Sequence, residues 1–317
     1  MIIIGVDNGN ANTKTQNHNF VSGLTSHDVR PPLSTDLIYR KETGLYYTLS
    51  DKRNVYKRDK THDENTYTLT LFAIAKELLT RNLYKGHEII EIHLAVGLPP
   101  GHFGTGYKKY MDYFMQNNGL VSYYYNDKLF NVKIKEVMVF PQAFAAIATN
   151  PSDLKKYSVT YVIDIGGYTT DVLKLSNGKP DLSVNYSYPS GVITMNSAII
   201  NRVSRSFDAD LDESQVYAVL FNKPNVIPDD IKKYIREEAE KYAEEILFKL
   251  REEGIDLRMT PAIFVGGGSL LIRPFIESSE NVTLAEFNDS VQANVKGFET
   301  LMKGSLAQKA KKASQRE

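Results

Sequence analysis

Two short apolar runs each end in an aspartate followed by a glycine turn, a combination suited to holding a phosphate chain. The first is Ile2-Ile3-Ile4-Gly5-Val6-Asp7-Asn8-Gly9-Asn10-Ala11-Asn12-Thr13-Lys14. The second is Tyr161-Val162-Ile163-Asp164-Ile165-Gly166-Gly167-Tyr168-Thr169-Thr170-Asp171. Each reads as a hairpin whose backbone N–H groups face phosphate oxygens. Glycine lets the main chain approach those oxygens without a Cβ clash. Lys14 returns along the second strand of its hairpin toward the same phosphates as a point charge. Asp7 and Asp164 suit Mg²⁺ held mainly through its water shell, because that ion sheds water reluctantly and takes few direct protein ligands. A third turn, Gly266-Gly267-Gly268, follows the run Ala262-Ile263-Phe264-Val265 and would let adenine lie flat against main chain. Any one of these turns is an ordinary loop. The three together predict a duplicated fold that closes on a nucleoside triphosphate from both sides. The glycine triplet reads backbone rather than a base edge, so ATP and GTP both stay open.

These turns need strands and helices to hold them. Residues 2–7 are rich in β-branched Ile and Val and too few for a helix, so they read as a buried strand. Residues 20–60 alternate polar and aromatic groups around Pro31-Pro32, which predicts exposed strands and loops in a small peripheral lobe, about residues 20–65. From Thr66 to Leu83 apolar pairs recur at helical spacing. Ile89 to Leu98 reads as a strand stopped by Pro99-Pro100, Lys108 to Asn118 as a helix, and Lys128 to Phe140 as a strand. Pro141 to Ala148 reads as a helix with proline in its first turn. Asn150-Pro151-Ser152 is the expected boundary between halves, giving domain I over 1–150 and domain II over 151–284. The strand–turn pattern restarts at Val159, and Ile231 to Glu253 reads as a long amphipathic helix. The C-terminal stretch 285–317 is expected to pack back on domain I, with a helix from Gln292 to Met302 and a fraying tail from Lys309. Tyr123-Tyr124-Tyr125 reads as packing or as a subunit contact.

Composition removes other chemistries. The 317 residues carry no cysteine, which excludes thiol nucleophiles, thiolate metal sites and disulfides, and fits a reducing cytoplasm. Formal net charge is zero, and no basic stripe interleaves with aromatic residues, so direct reading of nucleic acid is not expected. No run approaches the roughly 18 apolar residues that cross a bilayer. A signal peptide and a membrane anchor are not expected either. The six histidines show no metal-like spacing.

In motif order, the chain resembles the actin-like ATPases of the superfamily that joins actin, heat-shock chaperones and sugar kinases. Within that superfamily it is most similar to the bacterial plasmid-segregation actins of the ParM (StbA) type. Asp7 to Lys14 resembles the first phosphate motif, Asp164 to Asp171 the second, and Phe264-Val265-Gly266-Gly267-Gly268-Ser269 the adenosine motif. Pro141-Gln142-Ala143 through Ala148 resembles the first connecting helix, and Ala293-Asn294-Val295-Lys296-Gly297-Phe298 the second. Val96-Gly97-Leu98-Pro99 resembles a turn common in the plasmid proteins. Asn10 stands where many relatives carry a hydroxyl, and Tyr168 where many carry a small residue. The resemblance implies an α/β, ribonuclease H-like, duplicated two-domain actin fold with a nucleotide cleft between the lobes. It implies nucleotide contacts from Gly9, Asn10, Ala11, Asn12, Lys14, Gly166, Gly167, Tyr168, Thr169, Gly266, Gly267, Gly268 and Ser269, with Mg²⁺ at Asp7 and Asp164. Gln142 is then the residue that orients the attacking water, with Asp164 assisting through a water. Glutamine cannot take up a proton at neutral pH, so it positions rather than deprotonates.

The function implied is a filament-forming ATPase that moves plasmid DNA through a ParR-like adaptor bound to a centromere-like site, with no direct nucleic-acid contact. A small-molecule kinase of the same superfamily is the alternative. It would need a catalytic base such as Asp171, and the chain is short for most sugar kinases. A chaperone-like switch would need a peptide-binding domain after the last helix. A shape-determining cytoskeletal actin would carry a membrane-binding element that the sequence does not show.

Overall fold

The β-branched run at the N-terminus forms strand β1 (Ile3–Asn8) in the computed structural model, which describes residues 1–57, 59–149 and 155–315. Contacts divide the chain into two compact units, residues 1–149 with 292–317 and residues 150–291. The expected boundary at Asn150-Pro151-Ser152 lies outside the described residues.

The first unit is built on one nine-stranded sheet. Its strands are β1, β2 (Asn12–Lys14), β3 (Asn19–Val21), β4 (Leu24–His27), β5 (Leu37–Arg40), β6 (Leu45–Leu49), β7 (Ile89–Leu98), β8 (Leu120–Tyr125) and β9 (Lys128–Pro141), in the order β3-β2-β1-β7-β9-β8-β5-β6-β4. β1, β2 and β3 form an antiparallel meander, and β7 and β9 add to β1 in parallel. The helices are α1 (Asn65–Thr80), α2 (Pro100–Phe114), the single turn α3 (Phe144–Ile147) and, numbered in chain order, the C-terminal α8 (Ala293–Ser314).

Strand alternation distributes these helices over two faces. Ile4 and Val6 of β1, Leu94 and Val96 of β7 and Val137 of β9 join one core with Leu71, Phe72 and Ile74 of α1 and Phe114 of α2. The intervening positions Ala95, Met138 and Phe140 join Ala145 of α3 and Phe298 and Met302 of α8 in another. Close approach of α8 requires glycine beneath it. A Cβ on Gly97 would enter the Phe298 ring, and one on Gly297 would enter the backbone of Ala145.

Four expectations need correction. Residues 24–49 are not exposed strands set apart, because β4, β5 and β6 extend the same sheet and bury Leu37, Ile38 and Tyr47. The helix expected from Lys108 starts at Pro100, whose fixed φ and missing N–H suit a first helical turn, and ends before the left-handed Asn117 and Asn118. Pro141 closes strand β9 instead of opening a helix, and only one helical turn follows. The tail expected to fray continues as α8 to Ser314. Tyr123 and Tyr125 are buried, the packing role of that stripe.

The second unit repeats the plan. Strands β10 (Val159–Ile165), β11 (Thr170–Ser176), β12 (Lys179–Tyr188), β13 (Ala262–Val265) and β14 (Ala285–Phe287) lie in the order β12-β11-β10-β13-β14. Again a three-stranded meander comes first and two parallel strands add to its first member. Helices α4 (Val192–Phe207), α5 (Glu213–Leu220), α6 (Asp229–Glu252) and α7 (Gly267–Ser278) complete it. Ile163, Ile165, Val172 and Phe264 share a core with Val203 of α4, Ile235 and Leu250 of α6 and Ile272 of α7. A capping box of Asp212 with Gln215 starts α5.

Candidate functional site

In the first unit the β1–β2 register sets Asp7 opposite Lys14 and Asn8 opposite Thr13, so the turn falls on Gly9, Asn10 and Ala11. A Cβ on Gly9 would lie 2.6 Å from the Asn12 carbonyl oxygen, so the turn has this shape only with glycine. Ser22, which sequence reasoning missed, holds the turn. Its hydroxyl donates to the Gly9 carbonyl at 2.6 Å and lies 2.9 Å from the Thr13 hydroxyl, while its N–H donates to the Ala11 carbonyl at 3.0 Å. Asn8 is also fixed from below. Its amide donates to the Tyr110 hydroxyl of α2 at 3.2 Å, and its carbonyl oxygen Oδ1 is 3.2 Å from the Thr70 hydroxyl of α1. Burial pushes the Tyr110 hydroxyl well above its ordinary range, so it stays a neutral partner.

Asp7 and Gln142, distant in sequence, meet. The Gln142 amide Nε2 donates to Asp7 Oδ1 at 2.7 Å. Main chain fixes Gln142 on both sides: its N–H donates to the Leu98 carbonyl at 2.8 Å, and its carbonyl accepts from Phe144 N–H at 2.6 Å. That second bond closes a γ-turn around Ala143, which has φ 62° and ψ −58°, an uncommon conformation for a residue with a side chain. The surroundings hold it there. Ala143 is fully buried, and its N–H donates to Asn294 Oδ1 of α8 at 3.0 Å. Lys14 sits half-buried opposite Asp7 and forms no ion pair among the described residues.

A buried charge network braces the same hairpin. Glu77 of α1 accepts from the Thr15 hydroxyl at 2.5 Å, from Asn17 N–H at 2.8 Å and from Asn17 Nδ2 at 2.9 Å, and it pairs with Arg81. Arg81 continues to Glu299 of α8 at 2.7 Å, and Glu299 accepts the Gly5 N–H at 2.9 Å. Burial opposes the Glu77 charge, but hydrogen bonds from Thr15 and Asn17 and the Arg81 cation outweigh it and hold its carboxyl below the usual range.

In the second unit Asp164 pairs in register with Asp171, and Gly166 N–H donates to the Thr169 carbonyl at 2.8 Å, closing a turn over Gly166, Gly167, Tyr168 and Thr169. The Gly166 N–H is therefore committed within the turn. The turn carbonyls of Gly166 and Gly167 accept Val192 N–H at 3.1 Å and Ile193 N–H at 2.9 Å, which docks the start of α4 on the hairpin. Gly191 makes this possible, because a Cβ there would enter the Gly167 backbone. The Thr169 hydroxyl donates to Asp171 Oδ2 at 2.9 Å.

The glycine triplet divides by position. Gly266 has φ 87°, and a Cβ on it would meet the Asp164 carboxylate, so that acid lies against the end of β13. Gly267 and Gly268 already belong to α7, whose N-terminus has no side-chain cap. Gly268 is packed, with an added Cβ 2.7 Å from the Ile165 carbonyl oxygen and from Val192. Gly267 has nothing nearer than Val291 at 4.0 Å. Ser269 is buried, and its hydroxyl returns to the Gly266 carbonyl at 2.7 Å. An uncapped helix N-terminus beside a tight glycine turn favours an anionic group.

Each hairpin presents a buried carboxylate beside its glycine turn, Asp7 in the first unit and Asp164 in the second, and a carboxylate so placed suits a divalent cation held through its water shell. No cluster of three or more His, Cys, Asp or Glu that could hold a metal directly occurs among the described residues. No helix among them is long and apolar enough to cross a membrane.

Comparison with known proteins agrees with this architecture. Residues 42–144 match the family model for the N-terminal domain of actin like proteins, and residues 162–278 match that for the C-terminal region of the archaeal, MreB-like actin homologue. No curated protein matches the chain. Among solved structures, the archaeal actin homologue Ta0583 in complex with ADP aligns with a TM-score of 0.69 at 19% identity, over 95% of this chain and 98% of that one. The apo pSK41 ParM protein aligns with a TM-score of 0.68 at 17% identity, over 97% and 98%. The Alp12 filament structure aligns with a TM-score of 0.63 at 14% identity, over 96% and 98%. The meander followed by two parallel strands, built once in each unit, is the two-domain α/β fold of actin-like proteins, and this chain has that fold.

Proposed function

We propose that this chain is a cytoplasmic, nucleotide-dependent filament-forming actin-like protein that hydrolyses ATP, or GTP, and drives plasmid DNA segregation through a DNA-bound, ParR-like adaptor. The observation that carries the reading is the Gln142–Asp7 contact beside the first glycine turn. A carboxylate only accepts, so it takes the Gln142 amide nitrogen and leaves Oε1 as an acceptor for a water proton. That arrangement suits orienting a water for in-line attack better than deprotonating a hydroxyl of a small acceptor, which favours hydrolysis over kinase chemistry. Mg²⁺ held through water by Asp7 and Asp164 would offset the charge that develops on the phosphates. Gly9 to Asn12 and Gly167 to Thr169 would cradle phosphate oxygens, Lys14 would add a cation, and Gly266 to Ser269 would border the adenosine.

Self-assembly draws support from the fold shared with Alp12, solved as a filament, and nucleotide binding from the fold shared with Ta0583, solved with ADP. The segregation role draws on the motif resemblance to the ParM type. A head-to-tail contact that does not close generates a helical filament. Sedimentation and light scattering of the pure chain with Mg²⁺ and ATP, GTP or no nucleotide test this directly. Polymer is expected only with a triphosphate, and a chain that stays monomeric at well above micromolar concentration in all three would refute it.

A further inference from the structure

The zero net charge of the chain hides a division between its two units. Residues 150–291 carry 15 lysines and arginines against 22 aspartates and glutamates, a formal charge of −7. The rest of the chain carries 23 against 16, a formal charge of +7. Each unit taken by itself has one dominant sign, and the two signs are opposite.

In the first unit the positive charge collects along α8. From Thr300 to Gln315 the sequence has no acid and carries Lys303, Lys309, Lys311 and Lys312. Met302 is the last buried residue of the helix, and every described residue from Ala307 on is exposed. Lys309 pairs with Glu136 of β9, whereas Lys303, Lys311 and Lys312 form no ion pair among the described residues. Only glycine, serine, alanine, glutamine and Leu306 separate these lysines, and Leu306 packs back on the core. Such a face lacks the aromatic and large apolar anchors of a hydrophobic interface, so it recognises charge.

In the second unit several acids are already answered by cations. On α6, Glu238 pairs with Arg202 and Lys241, and Glu237 pairs with Lys233. The run Asp208-Ala209-Asp210-Leu211 after α4 differs. Ala209 and Leu211 pack on the core, while Asp208 and Asp210 are exposed and form no ion pair among the described residues. Asp212, which caps α5, fixes the far end of the run. We propose that the lysine-bearing end of α8 in one copy docks on the Asp208–Asp210 run of a second copy, a contact held by charge. The complement of the cationic helix is thus carried by the chain itself. A nucleic acid is the poorer fit, because a neutral molecule with an acidic unit gains no long-range attraction to phosphates. The two surfaces differ, so each contact leaves one of each kind free and the association propagates.

This inference rests on the self-assembly reading above, and its test separates the two. Light scattering of the full chain with Mg²⁺ and AMPPNP gives the threshold concentration for assembly. Asp208 has φ 50°, which asparagine also tolerates, so the acidic run is altered as Asp208→Asn/Asp210→Lys. That variant and Lys311→Glu/Lys312→Glu should each raise the threshold about tenfold or more, and high salt should raise it for wild type. An equimolar mixture of the two variants should assemble within about threefold of wild type, because each altered surface then meets its altered partner. An unchanged threshold in either variant, or a mixture no better than its components, overturns the proposal. A labelled duplex oligonucleotide that binds wild type but not Lys311→Glu/Lys312→Glu, with assembly unchanged, would assign α8 to nucleic acid and overturn it too. A wild type that stays monomeric at low and high salt would remove the self-assembly reading itself. If glutamate at the helix end lowers the melting temperature, Lys311→Gln/Lys312→Gln should still raise the threshold, and no rise would overturn the proposal.

Discussion

At the scale of single residues, the site depends on pairs that fix one another. Asp7 orients the Gln142 amide, and the γ-turn at Ala143, held by Asn294, fixes the backbone that carries it. Strain of this kind persists only where the surroundings over-determine it, here through full burial and the bond to α8. Gln142→Ala removes the proposed acceptor for water but leaves Asp7, the turn and the core in place. Phosphate release per subunit should fall about tenfold or more while polymer yield in sedimentation stays near wild type. Equal loss of both would make Gln142 structural. Glu77 acts on the same hairpin through charge. Its folded carboxyl lies below the ordinary range, so its contribution is full above that range and fades as pH falls through the folded value. Glu77→Gln should cost about 2 kcal/mol at neutral pH by chemical denaturation. The gap to wild type should narrow below about pH 5, where the Glu77 carboxyl of the unfolded chain begins to protonate while the folded one is still ionised. A gap constant with pH would deny the charge a role.

Between elements, glycine placement decides what can dock on what. The start of α4 reaches the second turn only because Gly191 has no Cβ, whereas Gly267 faces open space. Gly191→Ala should therefore distort the Gly166–Thr169 turn and lower both melting temperature and nucleotide affinity. Gly267→Ala should change stability by no more than about 0.5 kcal/mol. Any loss of nucleotide affinity in that variant would then report contact between adenosine and the start of α7. Unchanged affinity would take Gly267 out of the site. The same contrast explains what the sequence made legible. The strands leading into each turn announced themselves by β-branched runs bounded by Asp and Gly, and Ile89–Leu98 was readable to its ends because prolines follow it. Ser22, Tyr110 and Gly191 carry no local signal, since their roles arise from where the meander and the helices bring them. Pro141 misled because a proline after an apolar strand also suits a helix start, and here the ladder with β7 continues through it. Residues 24–49 misled because their polar–aromatic alternation is that of a sheet with one buried face, and composition does not say which sheet they join.

For the molecule as a whole, formal net charge is zero, with 38 basic and 38 acidic residues, so long-range repulsion between copies is weak and the proposed assembly would be left to local contacts. On the proposed function, nucleotide control would then enter through the site. If Gln142 completes a competent arrangement only in the assembled state, hydrolysis follows polymer rather than bound nucleotide. Phosphate release per subunit should stay low below a threshold concentration, rise steeply above it, and share that threshold with light scattering. AMPPNP should give polymer at the same threshold that does not disassemble, whereas ATP polymer should decay once triphosphate is exhausted. A per-subunit rate independent of concentration across the scattering threshold would separate hydrolysis from assembly. Gln142 would then be an ordinary water-positioning residue of a monomeric hydrolase, and filament formation, if present, would have to be timed by something other than phosphate release.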